Sequence, residues 1–177
     1  MAAIASVVLG CATREPTRPQ ALRRPAARPT REAPGARGAH VLLDLSERRV
    51  HLMPGAVDDP PGTPLASFPV AIGRKEYETP TGRFQVIEKI VDPDFVQFDW
   101  DQPSRMMRRV PPGPTNPLGK RWIGFTTAHG WGIGFHGTPS PQLLGQAVSH
   151  GCVRMHNDHI VWLFDRVDVG TPVVVRR

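Results

Sequence analysis

The chain has 177 residues, enough for one domain whose core needs no disulfide staples, and its 22 Lys and Arg against 16 Asp and Glu give a net charge of +6. Residues 1–38 hold seven Arg and two Glu, a net of +5, so residues 39–177 carry 15 basic and 14 acidic side chains, only +1. With the basic character confined to that stretch, and no recognition helix, zinc finger or aromatic-studded RNA-binding sheet after it, no nucleic-acid partner is expected. No segment approaches the ~18 apolar residues of a spanning helix.

The chain opens on "MAAIASVVLGC", a short apolar run ending at Cys11. Val8-Leu9-Gly10-Cys11 resembles the cleavage box of bacterial lipoproteins, in which the Cys becomes the lipidated first residue, although the usual basic residue before the run is missing. The expectation is an extracytoplasmic domain of the cell envelope, with membrane anchoring through a lipidated Cys11 as one form of it. "ATREPTRPQALRRPAARPTREAPGARG" has no apolar period and is rich in Pro, Ala and Arg, which predicts a disordered, extended spacer. Residues 1–38 are therefore read as leader and linker, and residues 39–177 as the domain.

From His40 the pattern is strand-like. "HVLLDL" and "RVHLMPG" read as a hairpin across "SERR"; "LASFPVAIG" and "GRFQVIEKIV" follow, then "RWIGFTT" and "GWGIGFHG". Residues 92–120, full of Pro, Asp, Arg and Gly, read as a long loop. "SPQLLGQAV" allows a short helical turn. "NDHIVWLFDRV" is the convincing helix, with Ile160, Val161, Leu163, Phe164 and Val167 on one face and Asn157 as N-cap, and "PVVVRR" is a last strand. The fold class predicted is mainly β, a sandwich or partly open barrel, with one packed helix near the carboxyl terminus.

The chemistry gathers around "SHGCVRM". Cys152 is the one cysteine outside the leader, and His136 in "GFHGT" lies sixteen residues before it at the end of a strand-like run. A thiol of ordinary pKa is mostly protonated at neutral pH, so a nucleophilic Cys needs a base, and His136 is the candidate. Gly151 lets the chain turn sharply and present consecutive backbone N–H groups where an oxyanion would form. From the residues alone three accounts stand: a cysteine acyltransferase; a zinc site drawn from His136, His150, Cys152 and His156; or a buried structural Cys with unrelated histidines.

"IGFHGTPSPQLLGQAVSHGCVRMHNDHIVWLFDRVDVGTPVVV" resembles the catalytic half of the L,D-transpeptidase family, and "VLLDLSERRVHL" and "ETPTGRFQV" resemble its first hairpin and its Thr-Pro-Thr-Gly turn. The resemblance covers roughly residues 40–176. It implies the L,D-transpeptidase fold, Cys152 as nucleophile, His136 as base, and the Gly137 carbonyl orienting the imidazole. The Gly151 and Cys152 N–H groups would form the oxyanion hole, and Arg154 would bind a substrate carboxylate or order the site. Ser149 and His150 would shape the turn, His156 and Asn157 would cap the helix, and His129 and His159 would be surface residues. The implied substrate is a peptidoglycan stem peptide, cut before its terminal D-alanine and joined through a thioester to an amine in a 3→3 cross-link. Carbapenem β-lactams are implied inhibitors, no metal or cofactor is implied, and residues 92–120 would wall the cleft.

The alternatives are an L,D-carboxypeptidase using water, a sortase-like enzyme, and a non-catalytic wall-binding or zinc-stabilised module. Sortases place His much further upstream and Arg on the next strand, whereas the spacings here are sixteen and two. The acyl acceptor is left open among a second stem, a lipoprotein lysine, a free D-amino acid and water.

Overall fold

The alternation in "HVLLDL" and "RVHL" turns Val41, Leu43, Val50 and Leu52 inward, where all four are buried. These runs are β1 (His40–Asp44) and β2 (Arg49–Met53), an antiparallel hairpin. Its turn is held by Asp44, whose carboxylate accepts from Ser46 Oγ at 2.6 Å and Glu47 N at 3.0 Å. A computed structural model describes residues 38–60, 62–98 and 105–177. The apolar leader, Cys11 and the Pro/Ala/Arg-rich spacer lie outside the described residues.

Two apolar runs that look continuous are each divided between sheets. "LASFPVAIG" supplies β3 (Ala66–Pro69), which pairs with β2, and β4 (Ile72–Gly73), which belongs to another sheet. The break falls after Pro69, where Val70 N–H turns to Arg48 O and Ala71 pairs with Arg154. "GRFQVIEKIV" likewise supplies β5 (Gly82–Gln85) and β6 (Glu88–Val91). Between them Val86 N–H donates to Thr171 O and Ile87 N–H to Gly124 O, so the chain crosses from one sheet to the other at the buried Val86.

Residues 92–120 contain a hairpin that the predicted loop did not include: β7 (Phe95–Phe98) against β8 (Met106–Val110). Val96, Met106 and Met107 are exposed while Val110 is buried, so the pair offers no regular alternation for a sequence pattern to reveal. Then come β9 (Arg121–Ala128), β10 (Trp131–His136), a 3₁₀ turn over Pro141–Leu143, β11 (Ala147–Ser149), β12 (Val153–Arg154), α1 (Asn157–Phe164) and β13 (Pro172–Arg176). The helix cap is His156, whose Nδ1 accepts from Asp158 N–H at 3.3 Å, and not Asn157. Val161, expected on the apolar face, is only half-buried.

The strands form a five-stranded sheet, β3-β2-β1-β13-β5, and a four-stranded sheet, β12-β10-β9-β6, with the two-stranded pairs β11-β4 and β7-β8 beside them. β1 and β13 run parallel, bringing the two ends of the domain together. One core joins Val41, Leu43, Val173 and Val175 of the first sheet to Ile123, Phe125, Ile133 and Phe135 of the second, and α1 closes it with Ile160, Leu163 and Phe164. The fold is mainly β with one packed helix, as expected, and the sheets are not closed into a barrel.

Candidate active site

Strand register assembles the site. β10 and β12 run parallel with Phe135 opposite Val153 and His136 opposite Arg154. Phe135 and Val153 are wholly buried in the core, so the alternating residues Gly134, His136, Cys152 and Arg154 share the other face. In this register Gly134 stands opposite Cys152. A Cβ there would collide with Ile123 O and with the Trp122 ring. Trp122, opposite His136 on β9, lies beside it with ring centroids 6.0 Å apart and planes 22° from parallel. Trp122 Nε1–H donates to Glu88 Oε1 at 2.8 Å, which fixes the indole as a side wall for the histidine.

His136 is buried, and its Nδ1 is 2.6 Å from Gly137 O. A carbonyl only accepts, so Nδ1 carries the proton and Nε2 holds the free lone pair. Burial pushes the imidazole down to about 4, opposed by the Gly137 carbonyl and assisted by the Arg154 charge. Burial also pushes the Cys152 thiol up to about 11, against the lowering effects of the Gly134 backbone and Arg154. The thiol donates weakly to Gly132 O at 3.6 Å. Both groups therefore rest uncharged, the thiol protonated and the imidazole neutral. This is not the thiolate–imidazolium arrangement of a pre-ionised nucleophile.

The turn carrying Cys152 is held by its carbonyls. Ser149 O accepts from Arg74 N–H at 3.0 Å, His150 O from Trp131 Nε1–H at 3.1 Å, Gly151 O from Thr79 Oγ1 at 2.8 Å, and Cys152 O from Ser149 Oγ at 2.5 Å. Gly151 has φ 108°, in the region that favours glycine, and its N–H donates to Ser149 Oγ at 3.1 Å. This corrects the expectation that the Gly151 amide faces an oxyanion: it is engaged inside the turn. The Cys152 N–H finds no acceptor among the described residues.

Arg154 is half-buried on the same face and forms no ion pair among the described residues; burial lowers its pKa while Cys152 raises it. His150 Nε2 lies 3.0 Å from Arg74 Nη2, and since Arg only donates, this nitrogen accepts and the ring is neutral. Burial lowers its pKa, and the positive charges of Arg74 and Arg154 lower it further. Tyr77 packs against both partners, 4.9 Å from the His150 imidazole centroid and 5.0 Å from Arg74 Cζ. His129, expected to be incidental surface, is exposed but sits beside the nucleophile turn, with Nε2 3.1 Å from Glu78 O. His159 stacks on Phe68, 4.4 Å between centroids.

The zinc alternative is not assembled. Among the described residues no three His, Cys, Asp or Glu side chains come together as a metal site. Asn157 acts as a strut: Oδ1 accepts from Lys120 N–H and Nδ2 donates to Thr138 O, both at 3.0 Å. It thereby ties the end of the 92–120 segment to the residues just after His136. Asn116, buried in that segment, donates to Pro93 O at 2.8 Å and to Val110 O at 3.0 Å. Thr79, Trp122, Glu88 and Asn157 were missed as site residues; only the quoted "ETPTG" held a signal for one of them.

Comparison with known proteins gives the same outline. A family model of the L,D-transpeptidase catalytic domain matches residues 38–175. "Putative L,D-transpeptidase YqjB" of Bacillus subtilis is 39% identical over 110 residues, 61% of this chain and 57% of that protein. L,D-transpeptidase 3 of Mycobacterium tuberculosis shares the fold at a TM-score of 0.58 and 23% identity, over 79% of this chain and 61% of that one. A second structure of that enzyme, in complex with a faropenem-derived adduct, matches at the same TM-score and identity and covers 60% of its chain. The chain spans about half the length of the curated relatives it matches.

Proposed function

Because the chain belongs to the L,D-transpeptidase family, we propose that it is a peptidoglycan L,D-transpeptidase in which Cys152 forms a thioester with a stem tetrapeptide. The observation that carries this reading is the placement of Cys152 and His136 on one face of β10 and β12, with an imidazole whose Nε2 is left free because Nδ1–H is spent on Gly137 O. As sulfur bonds to the carbonyl carbon preceding the terminal D-alanine, its proton passes to His136 Nε2. The oxyanion meets the Cys152 N–H. Collapse breaks the amide C–N bond, and the imidazolium returns the proton to the departing D-alanine amine. An amine of a second stem then attacks the thioester, gives a proton to His136, and the thiol is restored.

Forming an imidazolium in a buried site beside Arg154 is costly, so the proton moves with the attack and not before it. Arg154, with no ion-pair partner among the described residues, suits a substrate carboxylate in two-pronged contact. The faropenem-derived adduct of the mycobacterial enzyme, and a related L,D-transpeptidase structure in complex with the carbapenem imipenem, support β-lactams as covalent inhibitors here. For location, the reading is the cell envelope, with residues 1–38 as leader and spacer and Cys11 as lipid attachment. Labelling of the wild type but not of Cys11→Ala by a palmitate probe tests the anchor.

The reaction is tested with a purified disaccharide-tetrapeptide and mass spectrometry. Loss of D-alanine with a cross-linked dimer supports transpeptidation. A bare tripeptide would assign water as acceptor, and an unchanged substrate would overturn the acyl-transfer reading.

A further inference from the structure

We infer that Thr79 is a positioning residue for the oxyanion-binding amide of Cys152, acting through the carbonyl of Gly151. The inference rests on the reading of Cys152 as an acyl-forming nucleophile, and goes beyond it by assigning a role to a residue 73 positions upstream in a different part of the fold.

Thr79 is buried, and both roles of its hydroxyl are used. It accepts from Gly73 N–H at 3.0 Å and donates to Gly151 O at 2.8 Å. The approach of β4 is possible only because residue 73 is glycine: a Cβ there would collide with Tyr77 O and Thr79 N. Thr79 is followed by Pro80, which restricts its backbone to extended conformations and so presets where the hydroxyl points.

The consequence for the nucleophile comes from peptide geometry. In a planar trans peptide the C=O and N–H point in opposite directions. Holding Gly151 O against Thr79 therefore aims the Cys152 N–H away from Thr79, on the opposite side of that peptide unit. On the other side of Cys152, Ser149 Oγ holds the next carbonyl, so the two peptide units flanking the nucleophile are each fixed by one hydroxyl. The Gly151 amide is already consumed by Ser149, which leaves Cys152 N–H without an acceptor among the described residues. Gly151, at φ 108° and without a side chain, has little intrinsic preference to hold this peptide, so the orientation has to come from outside the turn. Thr79 supplies it. The first threonine of the Thr-Pro-Thr-Gly run is thereby given a task distinct from that of Thr81, which is exposed.

Thr79→Val keeps shape and removes the hydroxyl; Thr79→Ser keeps the hydroxyl; Thr79→Ala serves where Val disturbs packing. Each is measured for acylation by faropenem, by mass spectrometry, and for alkylation by iodoacetamide, which attacks at sulfur without generating an oxyanion. Loss of one well-aimed donor lowers acyl-transfer rates by about 10²- to 10³-fold, and misaiming it should cost about 10- to 100-fold. The expected result is that loss of acylation in Thr79→Val and Thr79→Ala, alkylation within about two-fold of wild type, and acylation largely restored in Thr79→Ser. Acylation at the wild-type rate in both hydroxyl-free variants would overturn the assignment. So would a parallel fall of acylation and alkylation, which places Thr79 in thiol or fold maintenance only. A wild-type thiol that alkylates but is never acylated would instead overturn the acyl-transfer reading, and the positioning role with it.

Discussion

His136 commits its Nδ1–H to the carbonyl of the next residue, and that choice of tautomer decides which nitrogen can take the thiol proton. With burial pushing the imidazole down to about 4 and the thiol up to about 11, the base stays available and the thiol stays protonated across the whole neutral range. The acylation rate by faropenem is therefore expected to be flat from about pH 5.5 to 9, with its acid limb near 4. An inflection near 6.5 would mean an imidazole open to water. His136→Ala should lose about 10²- to 10⁴-fold at pH 7 and recover in part towards pH 11, where sulfur ionises unaided. Arg154 poses a second residue-level test, since it is half-buried and has no ion-pair partner among the described residues. If it grips a carboxylate with two parallel N–H bonds, Arg154→Lys should lose kcat/KM on the tetrapeptide almost as fully as Arg154→Ala, roughly ten-fold or more. Restoration by Lys would show that only the charge matters.

Among the elements, the ones with a single apolar face were the legible ones. β1, β2, β10 and α1 each put alternating or helical-period apolar residues into one core, and their sequence stretches announce them. "GRFQVIEKIV" could not reveal its division, because Val86 is apolar on either reading and only its bond to Thr171 shows where the sheets part. His136 and Cys152 were legible because their chemistry is local to a short signature. The Thr79 clamp was not, since its bonds reach Gly73 and, 72 residues away, Gly151. The strut from α1 was hidden in the same way: Asn157 looks like a cap, whereas His156 caps and Asn157 binds Lys120 N–H and Thr138 O. Gly119 and Gly137 are glycines partly for this reason, as a Cβ on either would strike Asn157 Oδ1. Asn157→Ala leaves one amide and one carbonyl without partners, an expected loss of about 1–2 kcal/mol by denaturant unfolding. Because it loosens the residues after His136, the same variant should also acylate more slowly, which a helix cap alone would not require.

At the scale of the whole molecule, both groups of the site are held in the protonation state that burial favours, and stability must register that. His136 titrates at about 4 when folded against an ordinary 6.5, so below pH 6.5 the unfolded chain binds a proton that the folded chain refuses. Stability is then complete above 6.5 and falls as pH drops towards 4. His51, His150 and His159 are also lowered mainly by burial and add in the same direction. Cys152 titrates at about 11 when folded against 9.0, so above pH 9 the unfolded chain releases a proton that the folded chain keeps. Stability is complete below 9 and falls as pH rises towards 11. The stability curve of the domain should therefore be a plateau between about 6.5 and 9 with a fall on each side, each on the order of 3 kcal/mol at most. Urea unfolding from pH 4.5 to 10.5 measures it, and the two flanks can be assigned separately. Cys152→Ala should remove most of the alkaline fall and leave the acid one unchanged, while His136→Gln should reduce the acid fall to what His51, His150 and His159 contribute and spare the alkaline one. An alkaline flank that persists in Cys152→Ala would mean that the thiol is wetter than its surroundings suggest. The thiol would then titrate nearer its ordinary 9.0, and at neutral pH it would still depend on His136 to take its proton.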